Sequence, residues 1–115
     1  MPELSKELVM YSRTTPCPFV NTAKTVLKRV GVPYRELLID QDDVYEDRVL
    51  TWTGFMSVPT LIIANLGEDL PFEEPTSLAK GSSPRGIDRG PMLTEPDESQ
   101  LMAWLKRHGL LNHIG

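Results

Sequence analysis

A chain of 115 residues with 40% hydrophobic and 24% charged side chains has room for one domain with a proper core, and not for two. That composition argues against disorder and against a membrane span. The net charge of −4 argues against nucleic-acid binding, and the opening MPELSKELVMYS has no long apolar run behind a basic segment, so no secretory leader is expected.

The stretch KELVMYS (6–12) is short and almost continuously apolar, the pattern of a strand buried on both faces. Phe19, Ala23, Val26, Leu27 and Val30 then recur at helical spacing, with Lys24, Lys28 and Arg29 on the other side. Gly31 and Pro33 stop that helix. YRELLI (34–39) reads as a second strand. A second helix starts at Asp43 with a capping box to Glu46, carries Tyr45, Val49 and Trp52 inward and ends at Gly54. TLIIA (60–64) is a third strand.

The connection 65–96 is irregular and holds five of the ten prolines and four of the eight glycines. A loop of that length in a compact domain is functional, mobile or conceals an element; GPMLT (90–94) is the stretch expected to form a short strand. The last helix starts near Asp97 with Gln100 three residues on, buries Leu101, Trp104 and Leu105, and closes at Gly109. Strand and helix alternate, which predicts an α/β sheet whose first two strands run parallel through a right-handed crossover. The domain is expected to be single over 1–115, with 65–96 as an insertion.

The chain holds one cysteine, in YSRTTPCPFV (11–20). Alone it forms no internal disulfide, which suits a soluble cytoplasmic protein. Cys17 follows the first strand and opens the first helix, where unpaired N–H groups and the helix dipole favour an anion. Pro18 fits the first helical position, where its missing N–H costs nothing, and Arg13, Lys24 and Arg29 add positive charge. The alternative is a small apolar filler, the commoner fate of a single free cysteine. SVPT (57–60) places Pro59 at the head of the third strand, the position a proline tolerates because it cannot donate to the ladder.

Taken together, MYSRTTPCPFV with its helix, GVPYRELLID, TGFMSVPTLIIA and the final LMAWLKRHGLL resemble the glutaredoxin family over roughly 6–64 and again over 97–109. The resemblance implies a thioredoxin-like α/β fold, a mixed sheet of about four strands flanked by three helices. It also implies a cis Pro59 facing Cys17, with the Val58 backbone pairing with the cysteinyl part of glutathione. On this reading Cys17 is the catalytic thiolate and glutathione the co-substrate. Arg13, Thr14, Phe19, Ser57, Val58 and Pro59 form the glutathione site, and Thr60 is a minor contact. Glutathionylated or disulfide-bearing proteins and small thiols are the partners, the chain acts as a monomer, and no metal is expected. Three features depart from the family pattern. Val20 stands where dithiol members carry a second cysteine; the loop is not the Cys-Gly-Phe-Ser of the iron–sulfur-carrying members; and the usual glycine pair before the last helix is missing. Cys17 is also six residues beyond Tyr11 instead of five, which makes Arg13 the candidate for the usual basic group.

Two further readings compete with the oxidoreductase: a binding module or an iron–sulfur carrier, the carrier disfavoured by the stiff Pro18, and an arsenate-reductase-like enzyme using Arg85 and Arg89. The stretch 79–90, net basic in an acidic chain, is either a solvated loop or a grip in which Lys80, Arg85 and Arg89 hold an anion beside the cysteine. Lys24 and Lys28 read mainly as a solvated helix face, Trp52 and Trp104 as core, and Phe19 as core or as cover for the sulfur. His108 and His113 fall near the end of the last helix, where a cation suits the dipole.

Overall fold

The computed structural model describes residues 6–111. The elements follow the chain as β1 (Lys6–Ser12), α1 (Pro18–Val30), β2 (Arg35–Leu38), α2 (Asp43–Thr53), β3 (Thr60–Asn65), β4 (Met92–Thr94) and α3 (Glu98–Arg107). They build the mixed four-stranded sheet with three helices that the sequence predicts, in the order β2-β1-β3-β4. β1 and β2 are parallel, with Val9 opposite Arg35. β3 is antiparallel to both neighbours, with Leu61 opposite Met10 of β1 and Leu93 of β4.

The continuous apolar runs have a simple cause: successive side chains feed two cores on opposite faces of the sheet. Leu8, Met10, Leu61, Ile63 and Leu93 pack with Ala23, Val26 and Leu27 of α1 and Leu101, Trp104 and Leu105 of α3. Val9, Tyr11, Ile62, Ala64 and Met92 face the other way and pack with Val49 of α2, Val58, Cys17 and Val20. Tyr45 and Trp52 join this second core only in part, both edge-on to Tyr11.

Helix ends follow local chemistry. α1 stops at Gly31, whose φ of 72° is open to glycine at little cost. α3 opens on the expected capping box, with Asp97 and Gln100 each bonding the other's backbone N–H at 2.8 Å. α2 departs from expectation by one residue. Its cap is Asp42, which keeps extended dihedrals and accepts from the Val44 N–H at 2.9 Å; Asp43 is already helical. Asp43 and Glu46 instead place negative charge in the first turn, where the dipole favours it.

The connection between β3 and β4 is bound to the sheet and helices along its length. Pro71 bridges Ala64, and the Phe72 N–H donates to Ile63 O at 2.9 Å. Thr76 N–H bonds Arg89 O, and Gly86 N–H bonds Thr94 O at 2.7 Å. The Trp104 indole donates to Gly90 O at 2.8 Å, and Arg107 grips Asp88 with two bonds of 2.6 and 2.9 Å. The short strand expected in GPMLT forms as β4.

His108 corrects the sequence reading. It caps α3 and stacks edge-on against Trp104, with ring centroids 5.3 Å apart. Burial, reinforced by the neighbouring Arg107 charge, holds its pKa below 6.5, so the neutral ring is favoured and not the cation. The unfolded chain therefore binds this proton more readily than the folded one. Stability from this group is complete above about pH 6.5, falls as pH drops through that value, and levels off below the folded pKa. Urea midpoints measured between about pH 7.5 and 5.5 should fall for the natural chain and flatten in His108→Gln. His113 lies outside the described residues.

Candidate active site

Cys17 is the cap residue of α1, with extended dihedrals (φ −149°, ψ 123°) and Pro18 as the first helical residue. Its carbonyl accepts the first helical bond, from Asn21 N–H at 2.9 Å, but its side chain caps nothing. The sulfur turns across the domain, and the thiol donates to Val58 O at 3.7 Å. Only 6% of Cys17 is exposed.

The wall opposite is the stretch 57–60, with Val58–Pro59 in the cis form. Ser57, Val58, Pro59 and Thr60 are all buried. β4 braces this wall. The Thr60 hydroxyl donates to Ser57 O at 2.9 Å and lies 3.1 Å from the Thr94 hydroxyl, while Glu95 N–H donates to Pro59 O at 2.8 Å. The sulfur therefore sits between the first turn of α1 and a backbone segment held by the β3–β4 hairpin. Val20 is 3% exposed and belongs to the second core, so the position three residues beyond Cys17 holds apolar packing.

The structure brings Cys17 together with Val58, and places Ser57 and Pro59 beside that contact. Phe19 lies half-buried against the same core cluster that contains Cys17. Arg13 is half-buried on the approach to the helix, its Nε enclosed without a hydrogen-bond partner among the described residues. Thr14 is engaged elsewhere: its N–H and hydroxyl bond Asp40 at 3.0 and 2.6 Å. Those bonds, the hydroxyl's first, hold the Asp40 carboxyl below its ordinary pKa, with Arg13 adding to the effect. Lys24 is paired with Glu36 at 2.9 Å.

The basic stretch 79–90 divides. Arg89 does not reach the cysteine: it is 7% exposed, with Nε donating to Thr76 O at 2.7 Å and Nη1 to Trp52 O at 2.6 Å. Burial draws its pKa below the usual value. Its planar fork matches two main-chain carbonyls from different segments, so it fastens the connection to the end of α2. Lys80 lies exposed in a turn. Arg85 does approach, with its guanidinium carbon 4.8 Å from the centre of the Phe19 ring and its Nε 3.3 Å from Glu95. Glu95 escaped the sequence reading. It occupies a left-handed conformation (φ 46°) that residues with side chains rarely adopt, and only the register of β4 against β3 brings it to Pro59.

The sequence matches the family model described as Glutaredoxin over residues 8–66. No curated protein sequence matches it. Among solved structures, a structural-genomics target from X. campestris is 22% identical, with 87% of this chain and 96% of that one covered and a TM-score of 0.49. A buckwheat glutaredoxin–glutathione complex is 20% identical over 96% of this chain and 76% of that one, with a TM-score of 0.48. Reduced glutaredoxin C1 from Populus tremula x tremuloides is 18% identical over 93% and 73%, with a TM-score of 0.47.

Proposed function

The chain belongs to the glutaredoxin family, and from that premise we propose that it is a thiol–disulfide oxidoreductase working through Cys17 alone, with glutathione as the outside thiol. The observation that carries this reading is the Cys17 sulfur at the mouth of α1, facing Val58 O at 3.7 Å, with valine at position 20. Deprotonation removes the bond to Val58 O and leaves a thiolate at the start of α1, where unpaired N–H groups and the helix dipole favour an anion. The thiolate attacks the glutathione sulfur of a mixed disulfide. A Cys17–glutathione disulfide forms, the original S–S bond breaks, and the departing thiolate takes up a proton from water. A second glutathione, as thiolate, attacks that disulfide; oxidised glutathione leaves and Cys17 is regenerated.

No Val58 N–H bond is made within the described residues, which leaves this group for the extended backbone of a bound thiol. Ser57, Pro59 and Phe19 are the proposed contacts of the bound thiol, with Arg13 as the proposed cation. The proposed setting is the reducing cytoplasm, and the proposed working form is a monomer.

Turnover of the mixed disulfide of glutathione and 2-mercaptoethanol tests the reading. Expected are turnover well above the uncatalysed exchange and a Cys17–glutathione adduct in the mass spectrum when reducing thiol is withheld. Neither adduct nor turnover would leave a thioredoxin-fold binding module as the better account.

A further inference from the structure

The connection between β3 and β4 delivers one charged side chain to the reactive end of the domain. Gly86 N–H bonds Thr94 O at 2.7 Å, and Arg85 bridges Thr94 alongside β4, so the backbone at Arg85 is tied to the free edge of the sheet. Gly86 lets it turn there, with φ of 72° and a Gln100 side-chain atom 2.5 Å from where a Cβ would stand. From this anchor Arg85 reaches over the Phe19 ring, two residues beyond Cys17, and meets Glu95, whose N–H bonds Pro59 O. Arg85 thus touches Phe19, in the helix that Cys17 opens, and Glu95, which is bonded to the segment opposite Cys17.

Its guanidinium is only partly engaged. Nε faces Glu95, and neither terminal nitrogen makes a hydrogen bond among the described residues; the side chain is 59% exposed. Stacking on an aromatic ring fixes the plane of the group while leaving its outer edge to bind an anion through two parallel N–H donors. Among the other cations, Arg89 is enclosed, Lys24 is paired, and Arg13 lies close enough to Asp40 to shift its pKa.

We propose that Arg85 is a substrate-binding residue that receives a carboxylate carried near the sulfur of the disulfide or thiol reacting at Cys17. This rests on the oxidoreductase reading for its substrate. The charge effect, by contrast, is measurable without turnover. Glu95 limits that effect, since it shares the guanidinium and lowers the net charge at the site.

The test compares Cys17 alkylation by iodoacetate, which carries a carboxylate, with alkylation by neutral iodoacetamide. The rate ratio of anionic to neutral reagent should fall about threefold in Arg85→Gln, the scale of one exposed charge pair. Arg85→Lys should restore most of it, and salt near 1 M should shrink the difference. In turnover, kcat/KM for 3,3′-dithiodipropionate relative to bis(2-hydroxyethyl) disulfide should fall by a similar factor in Arg85→Gln. An unchanged alkylation ratio in Arg85→Gln overturns the assignment whatever the glutathione result. A lowered ratio without disulfide turnover would defeat the oxidoreductase reading, and with it Arg85's role toward a substrate.

Discussion

Cys17→Ser should lower turnover of glutathione mixed disulfides at least about a thousandfold, because no other residue can form the covalent intermediate. A serine hydroxyl is not ionised at neutral pH and does not exchange with a disulfide, whereas a thiolate does both jobs. The fold should survive, since Ser and Cys differ little in size. The check is twofold: steady-state rates, and a thermal melt showing the variant still folded. A folded Cys17→Ser protein retaining more than about a tenth of natural activity would remove Cys17 from the chemistry. Val20 sharpens the expectation. Its place is packed against the second core, so no neighbouring thiol takes over and the reducing equivalents come from outside the chain.

Arg89→Met carries the largest expected cost in stability. The side chain is 7% exposed and reaches Thr76 O and Trp52 O, tying residues 76–89 to the end of α2. Methionine keeps the length and apolar stem but leaves both carbonyls without that donor. A buried charged hydrogen bond contributes more than a neutral one, and removing only one partner exposes the desolvation penalty of the other. The burial that lowers the Arg89 pKa shows that enclosing this charge has its own cost, which the substitution recovers in part. The net loss should be about 2 kcal/mol, a drop in Tm of about 10 °C for a chain of this size. Limited proteolysis should move to the 76–89 stretch, since the end of α2 no longer holds it. A Tm within about 2 °C of the natural chain would mean that the other fastenings, Trp104 to Gly90 and Arg107 to Asp88, are sufficient alone.

The two outcomes differ in how far they were readable from residue order. The position of Cys17 is legible because its setting is local: a strand before it, a proline and a helix after it. β1 and β3 are legible because both sheet faces are buried there, so each appears as a nearly continuous apolar run, whereas the edge strand β2 (RELL) is only half-buried. Even β4, three residues long, showed as an apolar patch between Pro91 and Pro96. Residue order does not settle a boundary that depends on one pair of dihedrals. Asp42 and Asp43 are chemically identical, and only the extended backbone of Asp42 makes it the cap. His108 is a related case: its place at a helix end is visible in the sequence, but its enclosure against Trp104 is not.

Strand periodicity, helix stops and the helix-opening position of the cysteine follow from interactions within a few residues, whereas the proposed role of that cysteine also rests on the distant SVPT and on the family resemblance. The placement of Arg85 and Glu95 arises otherwise. Phe19 and Arg85 are 66 residues apart, and Glu95 reaches Pro59 only through the pairing of β4 with β3. Arg85 and Arg89 lie four residues apart in one basic stretch, yet one is buried under carbonyls and the other stacks in the open. Side-chain type gives both the same charge and reach; which of them meets solvent is settled by how the chain between β3 and β4 closes over the sheet.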